Sequence, residues 1–226
     1  MLDLLLPERC AVCEAPGEAL CPGCRGALVR LAPPLCERCG SPGAWPVRRC
    51  AECARRRLGF ETARAAIVYD ERARHLVLGW KERGRRGLAV VAAELVAETL
   101  VRPAVDALTF VPADPERQRS RGDAPAERLA RELGERWELP VAALLGRRRA
   151  VPHQRGLSLA DRRRNVAGAF GPALKPPARV ALVDDVYTSG ATVNAAASAL
   201  RRAGARRVEV ITFARAVRGY MVSSQA

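Results

Sequence analysis

The chain is expected to be an α/β protein: a parallel sheet with helices on both faces, carrying a small Cys-rich module at its N-terminal end. Three observations lead there. Val180 to Val183 form an apolar run with the β-branched content of a strand buried on both faces, and it passes through a small, hydroxyl-rich loop into an Ala-rich helix. From residue 60 onward, short apolar runs alternate with amphipathic stretches of helical period, the pattern of strand–helix–strand units. All eight Cys fall between residues 10 and 53.

These Cys form four Cys-x-x-Cys pairs: Cys10/Cys13, Cys21/Cys24, Cys36/Cys39 and Cys50/Cys53. The two-residue spacing lets one tight turn aim two thiolates at one ion, so four pairs make two tetrahedral Zn sites. Both are expected to be structural, because full thiolate coordination leaves no open position. Sequential pairing puts Cys10, Cys13, Cys21 and Cys24 in one site and Cys36, Cys39, Cys50 and Cys53 in the other. A crossed arrangement stays open, since only seven residues separate the first two pairs, and four thiolates alone do not exclude an iron–sulfur cluster. Segments this short bury no core of their own, so metal is expected to supply the folding free energy. The module is expected to span residues 1–57, ending in Arg55-Arg56-Arg57. A larger domain, 58–218, and a frayed tail, 219–226, follow.

Within that domain Ala65 to Tyr69 reads as a strand, Glu71 to Arg83 as an amphipathic helix, and Leu88 to Leu100 as a second helix with Val91, Leu95 and Val96 on its apolar face. Lys81 lies just before the Arg83-Gly84 break. It is either a flexible cation that swings over a phosphate or a charge complementing the helix dipole. Leu108 to Pro112 is the next strand, Ala124 to Leu133 a helix, and Val141 to Leu145 a third, apolar strand. The run from Arg147 to Asn165 carries almost nothing that fills a core and reads as a basic flap. After the strand at 180–183 come a helix over 190–203, closed by Gly204, and a last strand, Val208 to Phe213.

The loop between strand and helix is a ligand site in outline. A strand–loop–helix joint lies at the carboxyl edge of a parallel sheet. Backbone N–H groups of Ser189, Gly190, Ala191 and Thr192 open the helix, where free donors and the positive dipole end favour a phosphate. Hydroxyls of Thr188, Ser189 and Thr192 add donors, and Gly190 allows close approach. Asp184 and Asp185 repel a phosphate and suit ribose hydroxyls or Mg²⁺ instead. Phosphate on one side and vicinal hydroxyls on the other describe a ribose 5-phosphate.

Val180 to Thr192 resembles the 5-phosphoribosyl-1-pyrophosphate (PRPP) motif of type I phosphoribosyltransferases, with every fixed position filled. Walker and Rossmann strings are absent. That resemblance implies that Pro112, Ala113 and Asp114, after the first core strand, cradle the pyrophosphate. Together with the Cys module, Tyr69-Asp70, Leu78-x-x-Lys81-x-x-Gly84, Arg121-Gly122 and the string from Gln154 through Leu157-Ser158, Arg162 and Asn165 to Phe170, the motif is similar to the ComF family. The resemblance implies a zinc ribbon joined to a phosphoribosyltransferase-like domain, a link to natural competence and DNA uptake, and PRPP with Mg²⁺ as ligand. One stretch departs: Asp123-Ala124-Pro125 stands where the family usually has Phe-Asn-Gln.

The formal charge of +14 and pI near 10.6 point to polyanionic partners. Thirty-six of the 38 basic residues are Arg. Arg147, Arg148, Arg149, Arg162, Arg163 and Arg164 bracket the flap and are candidates for single-stranded DNA phosphates. No segment has the apolar length of a membrane span, and Met1 to Leu6 is too short for a signal peptide, so a cytosolic protein with reduced thiols is expected. Two functions fit: phosphoribosyl transfer to a nitrogen acceptor, or a catalytically silent single-stranded DNA-binding factor that keeps PRPP as a structural or sensory ligand, alongside other DNA-uptake proteins.

Overall fold

A computed structural model describes residues 8–114, 124–148 and 168–217. Four parallel strands form the sheet in the order β1 (Thr62–Val68), β6 (Arg207–Arg215), β5 (Arg179–Tyr187), β2 (Ala107–Phe110). β5 lies inside the sheet, and Val180 to Val183 are wholly buried. Val180 and Leu182 pack on one side with α5 (Ala191–Arg202), while Ala181 and Val183 pack on the other with α2 (Glu71–Glu82), α3 (Leu88–Thr99) and α4 (Pro125–Trp137). Helices therefore cover both faces, as the near-continuous apolar strand requires.

Capping agrees with the sequence. Asp70 accepts from the backbone N–H of Ala73 (2.8 Å) and starts α2. Pro125, within the stretch that departs from the ComF pattern, sits at the first turn of α4, where a missing N–H removes no helical hydrogen bond. Two boundaries differ from expectation. Val141 to Leu145 is not one strand: Val141 bridges Leu108, then the chain turns with Leu144 N–H on Ala142 O (3.0 Å) and Thr109 Oγ1 (3.3 Å). Leu145 thereby enters a separate two-stranded antiparallel sheet, β3 (Leu145–Arg147) with β4 (Phe170–Pro172). β5 is also longer than its apolar run, since Asp184, Val186 and Tyr187 keep pairing with Thr212, Ala214 and Arg215 of β6. Its inside–outside alternation breaks at the two acids: Val183 and Val186 reach the same core, Leu182 and Tyr187 the other.

The Cys-rich module is built onto the larger domain. Leu31 N–H donates to Ala66 O (2.9 Å), Val68 N–H to Val29 O (2.8 Å) and Ala63 N–H to Arg38 O (2.9 Å), which covers the open edge of β1. Cys10, Ala11, Leu20 and Leu28 enter the core beside α2 and α3, so metal is not the module's only source of folding free energy. A short helix, α1 (Pro22–Gly26), carries Arg25, whose guanidinium pairs with Glu94 (3.2 Å) and Glu98 of α3. No helix among the described residues is long and apolar enough to cross a membrane.

Candidate functional site

The eight thiols gather into two groups in sequential pairing: Cys10, Cys13, Cys21, Cys24 and Cys36, Cys39, Cys50, Cys53, all sulfurs of a group lying within 4.8 Å of one another. A zinc–sulfur bond of about 2.3 Å makes the edge of a tetrahedral thiolate cage about 3.8 Å. Cys13–Cys21 and Cys36–Cys53 sulfurs are 3.7 Å apart, Cys39–Cys50 3.5 Å and Cys50–Cys53 3.9 Å, so both groups fit two structural zinc ions. The electrostatics agree. Burial opposes ionisation of Cys10, but backbone N–H groups of Cys13, Cys21 and Val12 overrule it and bring its pKa to about 6. Cys36 comes to about 7 in the same way, through N–H groups of Cys39, Cys50 and Arg38. Burial and then the neighbouring sulfurs push Cys24 up to about 12 and Cys53 to about 11, because four thiolates cannot ionise together without a cation among them. Native mass spectrometry of reduced protein is expected to show two Zn per chain; one, or an iron–sulfur absorption band, would contradict the assignment.

A second group of candidate side chains lies at the carboxyl edge of the sheet. β2 and β5 run side by side, with Phe110 paired to Val183 and Val111 N–H on Val183 O (3.0 Å), so Pro112, Ala113 and Asp114 emerge next to Asp184 and Asp185. Asp184 is 9% exposed, and its Oδ1 accepts from Asp185 N–H at 3.0 Å; Asp185 Oδ1 accepts from Val186 N–H at 2.6 Å. Lys81, in the last turn of α2, reaches across and pairs its ammonium with Asp185 Oδ2. Burial, then Asp185, pushes the Asp184 carboxyl up to about 8 against the pull of Lys81, Asp185 N–H and Arg147. Burial opposes the charge on Lys81, but Asp185, Asp184 and Tyr69 hold its pKa above the ordinary range. Beyond β5, Gly190 takes a left-handed φ of 68° as the N-cap of α5, and Ala191 N–H reaches Ser189 Oγ at 3.3 Å. Thr188 is exposed and Thr192 half-buried at the helix start.

Comparison with known proteins fits this pairing of modules. Residues 1–55 match the model of the double zinc ribbon domain. Competence protein F of Haemophilus influenzae is 32% identical over 211 residues, covering 87% of this chain and 90% of that protein. The chain belongs to the competence protein F family. Other relatives are the DNA utilization protein YhgH of Salmonella typhi, 30% identical over 92% of this chain and 96% of its own length, and competence protein ComFC of Streptococcus pneumoniae, 25% identical over 87% of each.

In this family member the arginines expected to meet DNA are not equivalent. Arg147 points inward: its guanidinium approaches Asp114 Oδ2 (3.5 Å) and Pro112 O (3.4 Å) and lies 5.4 Å from the centre of the Phe170 ring, with 14% of the side chain exposed. A cation held between a carboxylate and a ring is engaged with the Pro112–Asp114 loop. Arg148 is exposed. Arg149, Arg162, Arg163 and Arg164 lie outside the described residues, as do most of the expected flap and the tail. Three contributors were given no role at this site by the sequence reading. Tyr69, half-buried, interacts electrostatically with Lys81 and Asp185. Arg56 donates to Ser189 O (2.9 Å), and Asn194 Oδ1 accepts from Gly59 N–H (2.8 Å), so the end of the ribbon grips the loop.

Proposed function

We propose that this family member binds PRPP with Mg²⁺ at the carboxyl edge of its sheet and acts in DNA uptake or utilisation. The observation that carries the reading is the convergence of Asp184 and Asp185, countered by Lys81, on a Gly190 turn that opens a 12-residue helix, with the Pro112–Asp114 loop alongside. The helix start and hydroxyls of Thr188, Ser189 and Thr192 suit the 5-phosphate. The carboxylates suit ribose hydroxyls and Mg²⁺, and Lys81, released from Asp185 when those arrive, is within reach of the pyrophosphate. The names of the relatives support the role in DNA uptake.

Calorimetry with PRPP·Mg²⁺ tests the ligand. Asp184→Asn with Asp185→Asn should abolish binding, while Thr188→Ala should weaken it by about 1–3 kcal/mol, one charge-assisted hydrogen bond. Unchanged affinity in the double variant rejects the reading. The pH dependence follows from Asp184. Below its folded pKa of about 8 the carboxyl holds a proton that Mg²⁺ or a hydroxyl donor must displace, so affinity should rise with pH and level off above about 8. Calorimetry in buffers of different ionisation enthalpy would detect that proton release at pH 7.

The DNA contact is assigned to Arg148, Arg149, Arg162, Arg163 and Arg164. Five neutralised phosphates give a log–log salt slope near −3.5 on single strands, at about −0.7 per contact. Replacing Arg162, Arg163 and Arg164 by Ala should reduce the slope by about two units, whereas Arg147→Ala should leave it unchanged. A triple variant with the parental slope would remove these three arginines from the DNA contact.

A further inference from the structure

Arg215, the last residue of β6, is 1% exposed, an unusual place for a guanidinium. Its Nη1 donates to Cys39 O at 2.6 Å, its Nη2 pairs with Glu52 at 2.8 Å and lies 3.8 Å from Cys39 Sγ, and its Cζ stands 4.3 Å from the centre of the Tyr187 ring. Cys39 is a ligand of the second metal group, and Glu52 stands between its Cys50 and Cys53. Tyr187 is the floor of the candidate phosphate loop: a Cβ on Gly190 would stand 2.2 Å from the Tyr187 hydroxyl oxygen. The knuckle, Arg215, Tyr187 and Gly190 are thus in contact one after the next. Arg56 on Ser189 O and Gly59 on Asn194 add a second hold from the segment just after Cys53. The first group is placed elsewhere, with Cys10 in the core beside α2 and α3.

We propose that Arg215 is a positioning residue coupling the second zinc knuckle to the phosphate loop. Metal at Cys36, Cys39, Cys50 and Cys53 then sets the loop's affinity for a phosphorylated ligand, and ligand on the loop retains that metal. This rests on the PRPP reading of the loop. The physical step is short. Loss of the ion releases the Cys39 carbonyl and Glu52, the guanidinium loses the partners that hold it against Tyr187, and the ring and Gly190 relax together. Because the coupling is a binding linkage, it must be equal in both directions.

Equilibrium competition for zinc between the intact protein and a chromogenic chelator, with and without PRPP·Mg²⁺, reads the coupling. The first site is identified with Cys13→Ser, which removes one of its ligands. Ligand should raise the zinc affinity of the second site by about fivefold or more, the lower end of ordinary allosteric coupling, and leave the first site unchanged. Protein stripped of the second zinc should bind PRPP more weakly by the same factor. Arg215→Lys keeps the charge but cannot span Cys39, Glu52 and the ring at once, so it should retain both ions while the ligand effect disappears. Glu52→Gln, a milder change at a half-buried position, should reduce the effect in the same direction. An Arg215 that merely stabilised the fold would lower the melting temperature and leave the ligand effect intact, which would overturn the proposal. Hydrogen exchange without ligand separates the coupling from the identity of the ligand. Loss of the second zinc should speed exchange at amides 188–193 in the parental protein and not further in Arg215→Lys. If PRPP fails to bind by calorimetry, the reading of the loop falls; if those amides are indifferent to the second zinc, the coupling falls.

Discussion

Asp184→Asn is expected to make the ligand-free protein more stable while it destroys the ligand site. The carboxyl is 9% exposed, and burial with Asp185 beside it raises its pKa from an unfolded value of 3.8 to about 8. Between those values the folded protein holds a proton that the unfolded chain has released, so stability falls as pH rises through the window. Above about 8 the group is ionised in both states and the penalty is complete. An amide carries no such penalty and still accepts the N–H of Asp185. The variant should match the parent near pH 4 and exceed it by a margin that widens up to pH 8. Differential scanning calorimetry at pH 5 and pH 8 would show a difference in melting temperature that widens with pH. PRPP·Mg²⁺ affinity should meanwhile fall at least 100-fold, about 2.7 kcal/mol or more. A destabilised variant, or one whose advantage shrinks with pH, would mean that Asp184 is ionised and well compensated in the free protein. The expected outcome, a carboxyl that costs the fold stability when it ionises, is the kind of perturbation that clusters at functional sites.

What could be read in advance was what is local in the chain. Cys-x-x-Cys spacing encodes its own geometry, because both thiolates of a pair come from one turn, although the N–H groups of Cys21 and Cys50 that help ionise Cys10 and Cys36 come from the partner pair. Val180 to Thr192 was legible for the same reason: strand, acids, Gly turn and helix start are consecutive. Lys81 stood out as one of two Lys in the chain, but its partner Asp185 is 104 residues away and is met only because α2 packs over the edge where β5 ends. Arg147 read as one of a triplet of candidate DNA contacts, and its packing against Asp114 and Phe170, from two other segments, was not legible. Arg215 carried no signal, being one of 36 Arg in a strand. Its role depends on a ribbon 176 residues earlier that folds back against the far end of β6. Val141 to Leu145 failed differently. Its composition suits a strand, and it is divided by a turn fixed through Thr109, a long-range contact that a hydrophobic pattern does not contain.

Gly190→Ala should be strongly destabilising. At φ +68° an L side chain is strained, and the new Cβ would stand 2.2 Å from the Tyr187 hydroxyl oxygen and 2.3 Å from its ring carbon. The ring cannot yield, because it is 2% exposed, with the Arg215 guanidinium 4.3 Å from its centroid and the edge-on Phe60 ring 6.4 Å away. Backbone strain of about 1 kcal/mol therefore adds to overpacking of about 1–3 kcal/mol, for a total of roughly 2–4 kcal/mol in urea titration. Gly84→Ala is the matched control. Gly84 has nearly the same backbone, φ +64°, but nothing within 4 Å of its notional Cβ, so only the strain is incurred. The difference between the two variants isolates the collision with Tyr187. If the alanine is accommodated, the loop must lift from the ring and the N–H groups at the start of α5 must turn with it, so PRPP affinity should fall more than tenfold in the folded fraction, about 1.4 kcal/mol. Equal costs at the two glycines, together with unchanged affinity, would show that Tyr187 moves freely; it would then be neither the floor of the loop nor the link to Arg215.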